Sequence, residues 1–69
     1  MTEKLYWRDS LEIAQALADT HANIDPRTIR YTDLHRWICA LPDFKDNPEA
    51  CNEQILESIQ TAWIDEVAE

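Results

Sequence analysis

The chain has no glycine among its 69 residues. Phosphate-cradling loops, dinucleotide fingerprints and strand-to-helix serine elbows each need a backbone shape that glycine alone adopts cheaply. All three are excluded. Bases are scarce too: 6 Lys and Arg against 14 Asp and Glu leave a net charge of −8. A surface of that sign repels phosphate backbones on average, which argues against nucleic acid as a partner. The 2 cysteines, Cys39 and Cys51, are too few for a disulfide framework and do not form a Cys-x-x-Cys pair. No apolar run approaches the ~20 residues of a membrane helix, so no membrane association is expected. The opening Met-Thr-Glu-Lys-Leu-Tyr-Trp is too acidic for a signal peptide. A reduced, cytoplasmic location is the expectation.

What is present is a foldable composition. Hydrophobic residues make up 45% of the chain and include 3 Trp, which separates it from disordered sequences. Residues 1–69 are expected to form a single domain with a small core. The charge is unevenly placed. Residues 1–41 hold six acids and five bases, a balance of −1, whereas residues 42–69 hold eight acids and only Lys45, a balance of −7. Three of the bases, Arg27, Arg30 and Arg36, fall within ten residues.

Periodicity predicts three helices. Asp9-Ser10 with Glu12 reads as a capping box opening a helix over about 10–21, with Leu11, Ile13, Ala14, Leu17, Ala18 and His21 on its apolar side. Asn23 is available to end it. Asp25-Pro26 marks a turn, and Thr28–Tyr31 has the β-branched and aromatic content of a short strand, as Leu5–Trp7 could also be. Thr32 is expected to cap a second helix whose Leu34, Trp37, Ile38 and Leu41 form a core stripe ended by Pro42. An acidic loop follows over 42–51. A third helix from Asn52 to about residue 67 turns Ile55, Leu56, Ile59, Ala62, Trp63 and Val67 inward, with Glu53 and Glu57 opposite. The expected class is mainly α: a small winged-helix-like or helix-turn-helix domain, with three helices and one or two short strands. The three tryptophans are expected to form one packing centre.

Enzyme chemistry finds little support, because no serine or cysteine sits in a recognisable nucleophile setting. His35 and Cys39 stand one turn apart and could supply two metal ligands, but two ligands define no site. His21 reads as a packed or helix-terminal residue. The carboxylates are the stronger signal. Asp43, Asp46, Glu49, Glu53 and Glu57 span the loop and the start of the third helix, and dense oxygen ligands can hold hydrated cations weakly. The same residues could instead be a solvated acidic face, favourable to the helix dipole, or a docking strip for an Arg- and Lys-rich partner surface. Ile64 projects about 180° from Ile55, among those acids, as a single apolar point that a partner could grip.

The pattern of residues resembles the IscX family of small acidic iron–sulfur cluster assembly proteins. Its carriers are Trp7, Asp9-Ser10, Glu12-Ile13 and Ala16-Leu17, then Asp25-Pro26, Thr28, Arg30, Thr32-Asp33, His35 and Trp37-Ile38-Cys39. Leu41, Asp43-Phe44, Pro48, Ala50, Asn52-Glu53, Ile55-Leu56-Glu57, Ile59, Trp63 and Asp65-Glu66 continue it. The resemblance implies a winged-helix-like protein of the bacterial cytoplasm that binds the cysteine desulfurase of the assembly machinery. It also implies weak binding of ferrous or ferric iron through surface carboxylates and a modulating role overlapping that of frataxin. Family members can carry a solid acidic run where this chain has Lys45-Asp46-Asn47, which thins the carboxylates available to a cation. On this footing the expectation is a monomeric, non-catalytic adaptor. Asp43, Asp46, Glu49, Glu53 and Glu57 are the candidates for iron, and Glu12, Asp19, Glu53, Glu57 and Ile64 for the desulfurase. The alternative is a winged-helix regulator that uses Arg27, Arg30 and Arg36 against DNA.

Overall fold

The computed structural model describes residues 4–68 and contains α1 (Ser10–Thr20), α2 (Tyr31–Cys39) and α3 (Glu53–Val67). α1 lies chiefly against α3, and α2 packs less extensively on both. The core is built at helical spacing. Ile13, Ala14 and Leu17 come from α1, Leu34 and Ile38 from α2, and Leu56, Ile59 and Trp63 from α3, with Leu5, Trp7 and Leu41 closing it from the connections. Burying one such side chain stabilises the fold by about 1.5–3 kcal/mol, so these few residues hold the three helices together.

The helix starts differ in how they are capped. Asn52 acts as expected: its side-chain oxygen accepts from the Ile55 N–H at 2.9 Å at the start of α3, a cap that stabilises by ~1 kcal/mol. Asp9 does not. Its carboxylate turns back to the Tyr6 N–H at 3.1 Å, and α1 has no side-chain cap. Thr32 lies inside α2, whose extended N-cap residue is Arg30. Asn23 ends no helix, since α1 stops at Thr20 with His21 as its C-cap, and no residue with positive φ occurs among those described.

The expected strands shrink to one contact. Leu5 and Phe44 form an isolated parallel bridge, in which the Leu5 N–H donates to Asp43 O at 2.8 Å and the Lys45 N–H to Leu5 O at 3.0 Å. The segment Thr28–Tyr31 is no strand. Asp25 instead gathers the Arg27 N–H on its carboxylate and the Thr28 N–H and hydroxyl on its carbonyl, and Tyr31 already belongs to α2. A lone segment has no neighbour to satisfy its ladder, so a turn that bonds to itself prevails. Pro26 in that turn is fully buried, and its carbonyl accepts from Gln60 Nε2 at 2.7 Å, tying the turn to α3. No β-hairpin occurs among the described residues, so the wing of the expected winged helix has no counterpart there.

The aromatic residues form two groups, not one centre. Trp37 meets Trp63 edge-on at 6.2 Å, and His21 stacks on Trp37 at 4.9 Å, which gives His21 both the packed and the terminal role. Trp7 stands apart with Phe44, edge-on at 4.8 Å, and with His35, stacked at 5.6 Å. Two residues assigned to apolar helix sides are exposed: Leu11 at 66% and Val67 at 46%. Leu11 stands about 120° around α1 from Leu17, at the margin of the stripe, where α3 no longer covers it. Val67 is the last residue of α3.

Candidate functional site

The acidic loop owes its position to the N-terminal segment. Asp46 accepts the Trp7 N–H through Oδ2 at 3.0 Å and the Asn47 N–H through Oδ1 at 2.7 Å, while Trp7 Nε1 donates to Asn47 O at 2.7 Å. Asn47 in turn accepts from the Glu49 N–H on its side chain and from the Ala50 N–H on its carbonyl, each at 3.0 Å. The connection from α2 to α3 therefore hangs on Trp7, although it has no regular structure of its own. Asp46 spends both oxygens on this clasp. Its replacement by alanine is expected to cost about 1–3 kcal/mol through the orphaned Trp7 N–H, read as a lower urea midpoint. A D46A chain that loses cation affinity with an unmoved midpoint would instead place Asp46 among the ligands.

The other expected cation residues are dispersed. Asp43 is half-buried beside the bridge, Glu49 is exposed in the turn after Asn47, and Glu53 and Glu57 stand exposed one turn apart on α3. Among the described residues, no three His, Cys, Asp or Glu side chains are grouped so as to hold a metal ion. The carboxylates are thus available singly or in pairs, not as a cage.

A different arrangement emerges between α1 and α3. Leu11 forms one wall of an open groove of ≈ 430 Å³, and Glu57, Ser58, Thr61, Ala62 and Asp65 of α3 form the other. An exposed leucine beside two carboxylates, with no base in the lining, makes an apolar contact inside a negative rim. Glu53 continues the acidic row one turn before Glu57. Glu12 and Asp19 are exposed on α1 but do not line the groove, and half-exposed Ile64 lies outside it as well. Leu11 and Asp65 are the members that sequence reasoning missed. The signal for Leu11 was its marginal angle on α1, and that for Asp65 its place two turns beyond Glu57.

Little on this face is neutralised. Among the described residues the sole ion pair joins Arg36 to Asp33 at 2.6 Å, within α2. Arg36 is thereby engaged, and Arg27 and Arg30 are exposed on the connection into α2. The three arginines do not make a continuous basic helix face of the kind that enters a DNA groove.

His35 and the cysteines form a separate polar chain. His35 Nε2 contacts Pro48 O, and because a carbonyl only accepts, Nε2 carries the proton. Cys39 Sγ lies 3.9 Å from the His35 ring nitrogens, and the Cys51 thiol donates to the same Pro48 O at 3.9 Å. Burial pushes the Cys39 thiol above its ordinary range, and the nearby Cys51 adds to the rise. Burial likewise raises Cys51, against the pull of a backbone hydrogen bond. Both are thus thiols, not thiolates, at neutral pH.

No helix among the described residues is long and apolar enough to cross a membrane. The chain is 47% identical over 62 residues to an uncharacterised protein of Pseudomonas aeruginosa, an alignment covering 90% of this chain and 94% of that protein. The family model described as iron-sulphur cluster assembly matches residues 5–68, nearly the whole chain and all of the clasp, groove and thiol chain. The chain belongs to that iron–sulphur cluster assembly family, the IscX family whose residue pattern it carries.

Proposed function

We propose that the protein is a non-catalytic adaptor of iron–sulphur cluster assembly in the bacterial cytoplasm. It docks on the cysteine desulfurase through the acidic groove between α1 and α3. The observation that carries this reading is Leu11, exposed at 66% beside Glu57 and Asp65 with no base in the groove. Opposite charge on a partner would steer the encounter and set its orientation, while the leucine supplies the apolar contact that a purely charged strip lacks. Iron is cargo in this scheme. Glu53 and Glu57, one turn apart and exposed, hold it weakly with water completing the coordination, as hard cations are held by sparse carboxylates. The role parallels that of frataxin, and the protein acts as a monomer.

Titration of the full chain against the cysteine desulfurase of its own organism, with and without ferrous iron, tests the proposal. Binding is expected at low salt and should weaken steeply as salt rises, because exposed charges are screened over ~8 Å at physiological ionic strength. Ferrous iron should weaken docking, since Glu57 serves both. Absence of a complex at low salt overturns the reading.

A further inference from the structure

Cys39 is the last residue of α2, and Cys51 immediately precedes the Asn52 cap of α3. The connection between them doubles back, so that both thiols reach the ends of one short polar chain. Cys39 Sγ lies against the His35 ring, His35 Nε2 donates to Pro48 O, and the Cys51 thiol reaches that same oxygen. Both side chains are half-buried against the same core, so neither is sealed from small reagents.

We propose that Cys39 and Cys51 form a reversible dithiol–disulfide site that fastens the connection between α2 and α3 to the end of α2. The metal alternative for these side chains is disfavoured, because no group of three ligands is present among the described residues. A disulfide requires the two β-carbons to come within roughly 3.5–4.5 Å. Cys39 is held by its helix. Cys51 lies in non-helical backbone and is joined to Pro48 only by a weak thiol contact, so it is the partner that moves.

The oxidant is a low-molecular-weight disulfide such as oxidised glutathione. One cysteine, as thiolate, attacks it and expels a glutathione thiolate, leaving a mixed disulfide. The second cysteine attacks the protein sulfur of that mixed disulfide and expels the other glutathione. Two electrons pass from the protein thiols to the oxidant, and the two thiol protons end on the two released glutathiones. Forming the bond removes the Cys51–Pro48 contact and draws the start of α3 toward α2. This site stands independently of the docking proposal.

The test exposes the reduced, folded full chain to oxidised glutathione at mildly alkaline pH, with circular dichroism confirming that the helices persist. The expected dominant product is a monomer lighter by two hydrogens, mapped as a Cys39–Cys51 link, free of glutathione and restored by a dithiol reductant. A C51S chain should retain glutathione on Cys39, since nothing displaces it. The inference is overturned if the wild-type chain stops at mixed disulfides, forms mainly covalent dimers, or stays reduced until urea unfolds it. It is also overturned if neither C51S nor C39S carries an adduct, because no cysteine is then within reach of the oxidant.

Discussion

Replacing Trp7 with alanine is expected to destabilise the protein by about 4 kcal/mol, the cost of emptying a buried indole site. For 69 residues the whole stability is roughly 3–10 kcal/mol, so the W7A chain would lose from about two-fifths to all of it. Three losses coincide. The ring leaves Phe44 and His35, Asn47 O loses its donor, and the segment that bridges to Phe44 loses its anchor. A W7F chain keeps an aromatic ring and loses the Asn47 hydrogen bond, so the two variants separate packing from polar contact. Its extra cost should be nearer ~1 kcal/mol. Urea unfolding followed by far-ultraviolet circular dichroism measures both. A W7A midpoint within about 0.5 M of wild type would show that the loop does not depend on this residue.

The second large effect is expected in partner binding. Reversing Glu57 and Asp65 together to lysine places two positive charges at the groove, where the desulfurase is expected to present its own. Affinity should fall by roughly a hundredfold at low salt, mainly through slower association, because like charges brought together cost several kcal/mol. Both residues are exposed on α3 and engage in no ion pair among the described residues, so the fold should be unaffected and the urea midpoint nearly unchanged. L11A should act differently: faster dissociation with an unaltered salt slope. Reversal of Glu12 and Asp19, which lie outside the groove, provides the control. If that pair weakens binding more than Glu57 and Asp65 do, the docking face lies elsewhere on α1.

Local features of this fold were legible and long-range ones were not. The extent of α3 followed from Asn52 and from the recurrence of Leu56, Ile59 and Trp63, all of which act within one or two turns. The turn at Asp25-Pro26 was readable for the same reason, since Asp25 bonds to residues two and three positions on. The clasp between Trp7 and residues 46 and 47 spans some forty positions and has no periodic signature. Without it, Asp46 reads as one more acid for a cation, and the three tryptophans read as a single cluster. The groove was half visible. Glu57 stood out as part of an acidic face, whereas Leu11 counted as core because its angle on α1 permits either side and only the placement of α3 decides. The approach of Cys39 and Cys51 to opposite ends of the His35–Pro48 contact depends on the return path of an irregular connection, which spacing alone does not encode.

Every turn among the described residues is made without a left-handed residue, as suits a chain lacking glycine. The consequence lies in the unfolded ensemble. Average composition would give a chain of this length roughly five glycines, each widening the conformations available before folding. Where the native backbone needs no special shape, a residue with a β-carbon in place of glycine favours folding by ~0.4–1 kcal/mol through lost freedom of the unfolded chain. Over five positions that amounts to about 2–5 kcal/mol, comparable with the net stability of so small a domain. Some of what keeps this protein folded is therefore found in none of its contacts, but in how little its unfolded form is free to do.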